Sequence, residues 1–249
     1  MNLNGRTVLV TGGARGIGRE LTRQLVGQGA HVVAVGRDPG RLESLAAAHP
    51  GQVSTHAVDL ADPEATAAFA DGLARLHPEL SVLINNAGVQ THTDFFREDP
   101  RVTRPALRRE TALNLEAVTT LSTALLPHLR TLPSAAIVNV TSGLALAPKA
   151  SAPVYCATKA AVRTFTRALR YQCEDTAPHI RVIDAVLPLV DTDMTRGRGR
   201  GKLGAARTAG AVIAGIRRER SELYIGRTRI LRALLRLSPA LAHRILRDG

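Results

Sequence analysis

Tyr155 and Lys159 stand four residues apart in the run Tyr155-Cys156-Ala157-Thr158-Lys159, inside an Ala-rich stretch that reads as helix. Residues at that spacing share a helix face, so the phenol and the ammonium project side by side. A free phenol holds its proton until about pH 10, and a fixed cation a few ångströms away favours the phenolate and pulls that value toward neutrality. The expected chemistry is proton exchange at cellular pH. Alone, the pair also describes a solvated couple on any helix, and its company decides between the two. Ser142 ends an apolar run and supplies a hydroxyl able to donate to a carbonyl oxygen while Tyr155 gives up its proton; in isolation it is a serine in a turn. Asn114 lies mid-helix, where Asn competes for backbone hydrogen bonds. A local break there would let a carbonyl hold a water beside Lys159, the plain alternative being a packed or exposed amide.

Such side chains need a scaffold whose strand ends converge. Arg6 to Thr11 is an apolar run that breaks into Gly12-Gly13-Ala14-Arg15-Gly16-Ile17-Gly18 and an amphipathic segment through Leu25, a strand, glycine turn and helix. Gly12, Arg15, Gly16, Ile17 and Gly18 are candidate contacts to a pyrophosphate, which the free N–H groups and dipole of the helix would bind. The second strand, His31 to Val35, ends in Gly36-Arg37-Asp38. Gly36 occupies the place of an acidic ribose ligand, while Arg15 and Arg37 match a 2′-phosphate. NADP(H) is therefore favoured; NAD(H) stays possible because a one-residue shift would give Asp38 the ribose role.

Asp59, followed by Leu60, ends a third strand (Gln52 to Val58) and either accepts from the adenine amino group or caps the helix after Pro63. Val82 to Ile84 reads as a buried strand running into Asn85, Asn86, Ala87 and Gly88, whose amides would tie strands together along a cofactor groove. A long helix is expected from about Arg104 to Leu129, a fifth strand over Ala136 to Val140 and a sixth over Ile180 to Val186. Pro188, the backbone of Val190 and the hydroxyl of Thr192 then suit a nicotinamide carboxamide. The Arg/Gly-rich stretch at about 193–205 is expected to be a mobile lid. After a helix over Ala205 to Arg217 and a seventh strand at Leu223 to Ile225 comes a basic helical tail, about 228–249. It would pack on the domain, on a partner subunit or on an anionic membrane.

The series TGGARGIG from Thr11, NNAG from Asn85, Asn114, Ser142, and Tyr155 with Lys159 resembles the short-chain dehydrogenase/reductase family over essentially the whole chain. INNAGVQ, SGLALAP, PVYCATKAA and LVDTDM are similar to its DltE-like oxidoreductases. The resemblance implies an α/β, doubly wound Rossmann-type fold, its seven-stranded parallel sheet flanked by helices on both faces. It also implies a nicotinamide cofactor, with hydride transfer at a carbonyl or alcohol carbon of a small-molecule substrate. Ser142, Tyr155, Lys159 and Asn114 would form the proton relay, Tyr155 and Lys159 also touching the cofactor. Copies would pair through the helices bearing Asn114 and Tyr155 into a homodimer or homotetramer. One departure is Pro188-Leu189, where the family commonly has Pro-Gly. A non-redox enzyme (epimerase, dehydratase or cyclase) and a cofactor-binding regulatory protein are the alternatives.

Composition bounds the rest. The 249 residues suit one α/β domain, 1–249, and with 45% hydrophobic residues and no Trp the core must be Val, Leu, Ile and Ala. No run of about 18 apolar residues or signal-peptide pattern occurs, so no integral membrane segment and a cytoplasmic location are expected. Cys156 and Cys173 would lie about 25 Å apart on one helix, as free thiols. Eight histidines without ligand spacing give no metal site. The net charge of +12 comes with few aromatics and no basic cluster that nucleic acid would need, which leaves solvated Arg faces. The pocket segments carry no decodable motif beyond a mixed lining of Thr91, Ala147 and Met194.

Overall fold

The computed structural model describes residues 1–197 and 199–247; Arg198 of the expected lid and residues 248–249 of the expected tail lie outside the described residues. The first half of the chain runs β1 (Thr7–Thr11), α1 (Gly16–Val26), β2 (His31–Gly36), α2 (Pro39–Ala48), β3 (Val53–Ala57), α3 (Pro63–Leu76) and β4 (Leu80–Asn85). Then come α4 (Pro100–Thr111), α5 (Ala117–Leu129), β5 (Ala135–Ser142), α6 (Pro153–Thr176), β6 (Ile180–Leu187), β7 (Val190–Asp191), β8 (Leu203–Gly204), α7 (Ala205–Arg217), β9 (Glu222–Tyr224), α8 (Thr228–Leu237) and α9 (Pro239–Arg247).

Seven strands form one parallel sheet in the order β3-β2-β1-β4-β5-β6-β9. β1 and β4 are buried at every position, as central parallel strands covered on both faces must be. Leu21 and Leu25 of α1 with Val212, Ile213 and Ile216 of α7 form the core of one face. Leu73 of α3, Leu121 and Leu125 of α5 and Leu169 of α6 form that of the other. The chain leaves β1 toward β2 and returns to β4 on the opposite side, which makes the β1–β4 boundary the switch point where such sheets open a crevice at their carboxyl ends.

The structure refines the sequence expectation at three elements. The long helix begins earlier, at Pro100, where the Asp99 carboxylate accepts from the Arg101 N–H, and a π-helical segment over Ala112–Glu116 divides it. The Arg/Gly-rich stretch is anchored at its end: Leu203 and Gly204 pair with Val190 and Asp191, and Lys202 donates to the Thr195 carbonyl at 2.6 Å. The basic tail packs on its own domain. Thr228 donates to the Val186 carbonyl at 3.2 Å, Ala242 is buried, and the Ala150 N–H donates to the Arg247 carbonyl at 2.9 Å. Ile230, Leu237 and Ile245 stay exposed on its outer side. Among the described residues no helix is long and apolar enough to cross a membrane.

Candidate active site

The turn after β1 can be made only with glycine at several places. Gly12 and Gly16 have φ of +66° and +51°, and a Cβ on Gly18 would stand 2.0 Å from the Gly12 carbonyl oxygen. The Gly12 N–H donates to the Val35 carbonyl at 2.7 Å, folding the turn over the end of β2. Ile17 packs against the core, while Arg15 precedes α1 without a side-chain cap bond. The first turn of α1 holds no acidic residue, so its free N–H groups meet no carboxylate there. Thr192 comes across the crevice from beyond β6, its methyl 3.3 Å from where a Gly16 Cβ would be. A diphosphate fits this cradle of bare backbone and uncapped helix end.

The segment after β4 is tied to β1. The Thr11 hydroxyl accepts from the Asn86 and Ala87 N–H groups at 3.0 and 2.9 Å, and the Asn86 amide donates back to the Thr11 carbonyl at 2.9 Å. Asn85 donates to Asn139 of β5 at 2.8 Å and to Ser122 of α5 at 3.1 Å, a buried polar clasp across the sheet. Gly88 lies where a Cβ would come within 3.2 Å of the Asn114 amide oxygen and 3.6 Å of Lys159 Nζ.

Asn114 sits inside the π segment, fully buried. Its amide accepts from the Val89 N–H at 2.9 Å, donates to the Val89 carbonyl at 2.8 Å, and reaches Thr158 of α6 at 3.3 Å. π segments often mark functional positions because they re-aim a side chain. Here the widened turn lets a helical Asn dock on the strand-like stretch beside Lys159.

Ser142, the last residue of β5, accepts from the Leu144 N–H at 3.1 Å, and its hydroxyl works to lower the proton affinity of the Tyr155 phenol. Lys159, one turn further along α6, is buried, donates to the Val140 carbonyl at 2.9 Å, and holds its Nζ 5.9 Å from the centre of the Tyr155 ring. Ser142, Tyr155, Lys159 and Asn114 therefore converge at the carboxyl end of β5.

The electrostatics correct the expectation that Lys159 brings the phenol toward neutrality. Burial pushes the Tyr155 phenol up to about 12, against the pull of the Ser142 hydrogen bond, and Glu110 and Cys156 add to the rise. Burial likewise brings the Lys159 ammonium down to about 8, opposed by Asp184 and Glu110. Desolvation penalises the charged form of each group and is the largest cause in both. Tyr155 is a firmly held acid in this structure.

Two carboxylates find partners that the sequence did not show. Asp38 accepts from the Arg41 N–H as the cap of α2 and ion-pairs with the Arg41 guanidinium. Asp59 does not cap α3, a role that Asp62 takes. It accepts from the Ala61 N–H and from Arg109 of α4 at 2.7 Å, and these, with Arg37 nearby, hold its carboxyl below the usual value against its desolvation. Leu60 beside it is buried in the core. Arg37 itself is exposed just beyond β2. The carbonyl of Val190 is taken by the Thr195 hydroxyl, and the Thr192 hydroxyl caps the Asp193–Thr195 turn. Pro188 packs over Gly226. Of the expected pocket lining, Ala147 is wholly buried, whereas Met194 is exposed.

The family profile described as short chain dehydrogenase matches residues 6–202. The chain belongs to the short-chain dehydrogenase/reductase family. It is 40% identical over 204 residues to the uncharacterized oxidoreductase DltE of Bacillus subtilis, covering 82% of this chain and 79% of that protein. It is 38% identical over 192 residues to the L-xylulose reductase of Mesocricetus auratus, with coverage of 76% and 73%. A short-chain dehydrogenase from Burkholderia cenocepacia J2315, solved in complex with NADP, superposes over 100% of both chains with a TM-score of 0.86 and 26% identity.

Three features of this family member escaped the sequence reading. Glu110 of α4 is fully buried, and its carboxylate accepts from the Thr91 N–H at 3.3 Å. Asp184 of β6, also buried, is bound by the Thr141 hydroxyl and by Arg163, which continues to the Tyr224 hydroxyl at 2.7 Å. Arg109 covers Asp59. Glu110 was the most discoverable of these, since an acid one turn before Asn114 falls on the same helix face. Arg163 stands in the same relation to Lys159, but its partners come from strands distant in sequence.

Proposed function

We propose that the protein is an NADP(H)-dependent oxidoreductase that transfers a hydride between the nicotinamide and a carbonyl or alcohol carbon of a small organic substrate. The observation that carries this reading is the gathering of Ser142, Tyr155 and Lys159 at the carboxyl end of β5, one strand away from β1 and its glycine turn. The cofactor, when bound, supplies or accepts the hydride. Ser142 orients the substrate oxygen. Tyr155 gives that oxygen its proton in reduction and recovers it in oxidation, Lys159 holds the ribose, and the helix break at Asn114 anchors the water that connects the relay to solvent.

Gly12, Gly16, Ile17 and Gly18 would receive the pyrophosphate, Asp59 and Leu60 the adenine, and Asn86, Ala87 and Gly88 the wall of the groove. Pro188, Val190 and Thr192 would meet the nicotinamide carboxamide. The preference for NADP(H) rests on Arg15 and Arg37, both exposed at the ends of neighbouring strands, and on the engagement of Asp38 as a helix cap. The likeness to an L-xylulose reductase supports a small polyhydroxylated ketone as substrate. A cytoplasmic homodimer or homotetramer completes the reading.

A panel of ketones and alcohols followed at the nicotinamide absorbance, with NADPH and NADH in parallel, tests it. Turnover with NADPH is expected, and Arg37→Ala should weaken NADPH about tenfold relative to NADH, the scale of one lost charge-assisted hydrogen bond. Product formed without net NADPH oxidation would replace redox chemistry by one of the non-redox reactions. An unchanged cofactor ratio in Arg37→Ala would remove the 2′-phosphate assignment.

A further inference from the structure

The pair α8 and α9 has an inner and an outer side, and folding uses only the inner one. Thr228 and Leu231 of α8 reach Gly143, and Ala242 of α9 is buried. On the outer side Ile230, Ala233 and Leu237 share one stripe along the helix, and Ile230 and Leu237 are 69% and 86% exposed. Arg229, Arg232 and Arg236 form a second exposed stripe beside it. α9 adds exposed Ile245 and Arg244. From Arg227 to Arg247 the sequence holds six arginines and no acidic residue.

A second observation lies at the side of the same helix. A cavity of about 550 Å³ opens between α7, β9 and α8, where Arg218, Arg220, Arg229 and Arg232 surround Tyr224. The Arg232 guanidinium lies 4.5 Å from the centre of the Tyr224 ring, and Arg229 donates to the Tyr224 carbonyl at 2.9 Å. The one acid in the lining, Glu222, is already held by Arg163 at 3.3 Å, by Arg167 at 3.0 Å and by the Tyr224 hydroxyl at 3.0 Å. Four guanidiniums thus meet in a concave site whose carboxylate is engaged, a setting that suits phosphate oxygens.

We propose that α8 and its flanking arginines dock the protein on an anionic phospholipid surface, with Ile230, Ala233 and Leu237 entering the acyl boundary and the Arg-lined cavity taking lipid phosphates. The inference goes beyond the redox reading and does not depend on it. The apolar stripe alone would equally suit a second copy of the chain, but a two-fold contact through this face sets the arginine row against itself with no acid to answer it. An anionic bilayer answers both halves of the face: the apolar side chains gain burial, and each arginine gains attraction to the surface. Arginine stems lie along the apolar boundary while their guanidiniums reach the headgroups.

Sedimentation of the full chain with vesicles tests this. It should bind vesicles of mixed phosphatidylcholine and phosphatidylglycerol, ignore vesicles of phosphatidylcholine alone, and leave the anionic ones as salt is raised. Ile230→Ser with Leu237→Ser should weaken binding about tenfold, the scale of burying one such side chain. Arg236→Gln should weaken it about fivefold, the worth of one basic residue near an anionic surface. All three side chains are exposed, so circular dichroism should stay as in wild type. Cys156 and Cys173 are buried, so a polarity-sensitive thiol dye on Leu237→Cys reports insertion, and its emission should shift to the blue with anionic vesicles only. Absence of binding, binding indifferent to lipid charge, binding unchanged in the double serine variant, or an unshifted dye on bound protein overturns the proposal. So does an oligomer, measured by light scattering without lipid, that dissociates in the double variant, because the face then belongs to a second copy. None of these readouts uses turnover, so a protein that docks but reduces nothing in the substrate panel would refute the redox reading alone.

Discussion

At the scale of single residues, Tyr155 and Lys159 define opposite limits of the chemistry. The phenol, pushed up to about 12 by its burial, would in the proposed reduction give its proton to a developing alkoxide. Removing the hydroxyl in Tyr155→Phe should lower turnover by about 10²–10⁴-fold, the usual worth of a general acid, while circular dichroism and cofactor binding stay as in wild type. Equal rates for variant and wild type would exclude Tyr155 as the proton donor. Lys159 sets a second limit. Its ammonium, brought down to about 8, loses its charge as the pH rises through that value, so reduction should decline over the same range. A reduction rate that stays flat into strongly alkaline buffer would mean that this charge does not serve the reaction. The tyrosine, the lysine and their helical spacing were legible in the sequence. The direction of their proton affinities was not, because desolvation depends on which other chain segments cover them.

At the scale of elements, the strands and the glycine turn were readable because each is a local matter: apolar runs bounded by glycines, and backbone positions that no side chain can share. The sixth strand and the helix at Ala205–Arg217 were legible for the same reason. A break at Asn114 was legible as well, but not its π form, since nothing in ALNLE distinguishes that from α-helix until Asn114 finds Val89. The engagement of Asp59 was hidden for a related reason, because its partner Arg109 comes from a helix fifty residues on. A similar long-range contact closes the outer side of the sheet. His56 of β3 and His77 after α3 meet Nε2 to Nε2 at 2.8 Å, one donating and the other accepting, so the accepting ring must be neutral. Burial lowers the proton affinity of both, with His77 adding to the effect on His56. Their contribution to stability is therefore complete above the unfolded value of 6.5 and is lost as the pH falls from there through the lower folded values. Thermal melts at about pH 7.5 and about pH 5.5 should show an acid-side loss that is smaller in His56→Gln, which no longer has a ring to protonate. Identical losses in the two proteins would discard the histidine clip.

At the scale of the whole molecule, the family profile ends at residue 202, yet the catalytic end of the sheet is closed by elements beyond that residue. β9 completes the sheet beside β6, and α8 and α9 fold back over the exit of β5. Leu231 and Thr228 come within 3.3 and 3.4 Å of where a Cβ on Gly143, the residue after Ser142, would lie. The Arg247 carbonyl holds the Ala150 N–H, and the Ser151 carbonyl accepts from the Thr93 N–H at 3.1 Å. The tail thus braces the 144–153 segment, which in turn meets the segment pinned by Glu110 and Asn114. A protein ending at Arg227 should keep its sheet and its cofactor affinity and lose substrate affinity, with KM rising about tenfold and kcat changing little, as when binding contacts common to substrate and transition state are removed. Light scattering on the same sample would separate this from aggregation caused by the uncovered apolar surface. If KM stays at the wild-type value, the basic helices do not shape the pocket. If kcat falls as far as KM rises, the tail holds Ser142 and Tyr155 in register as well as the segments around them.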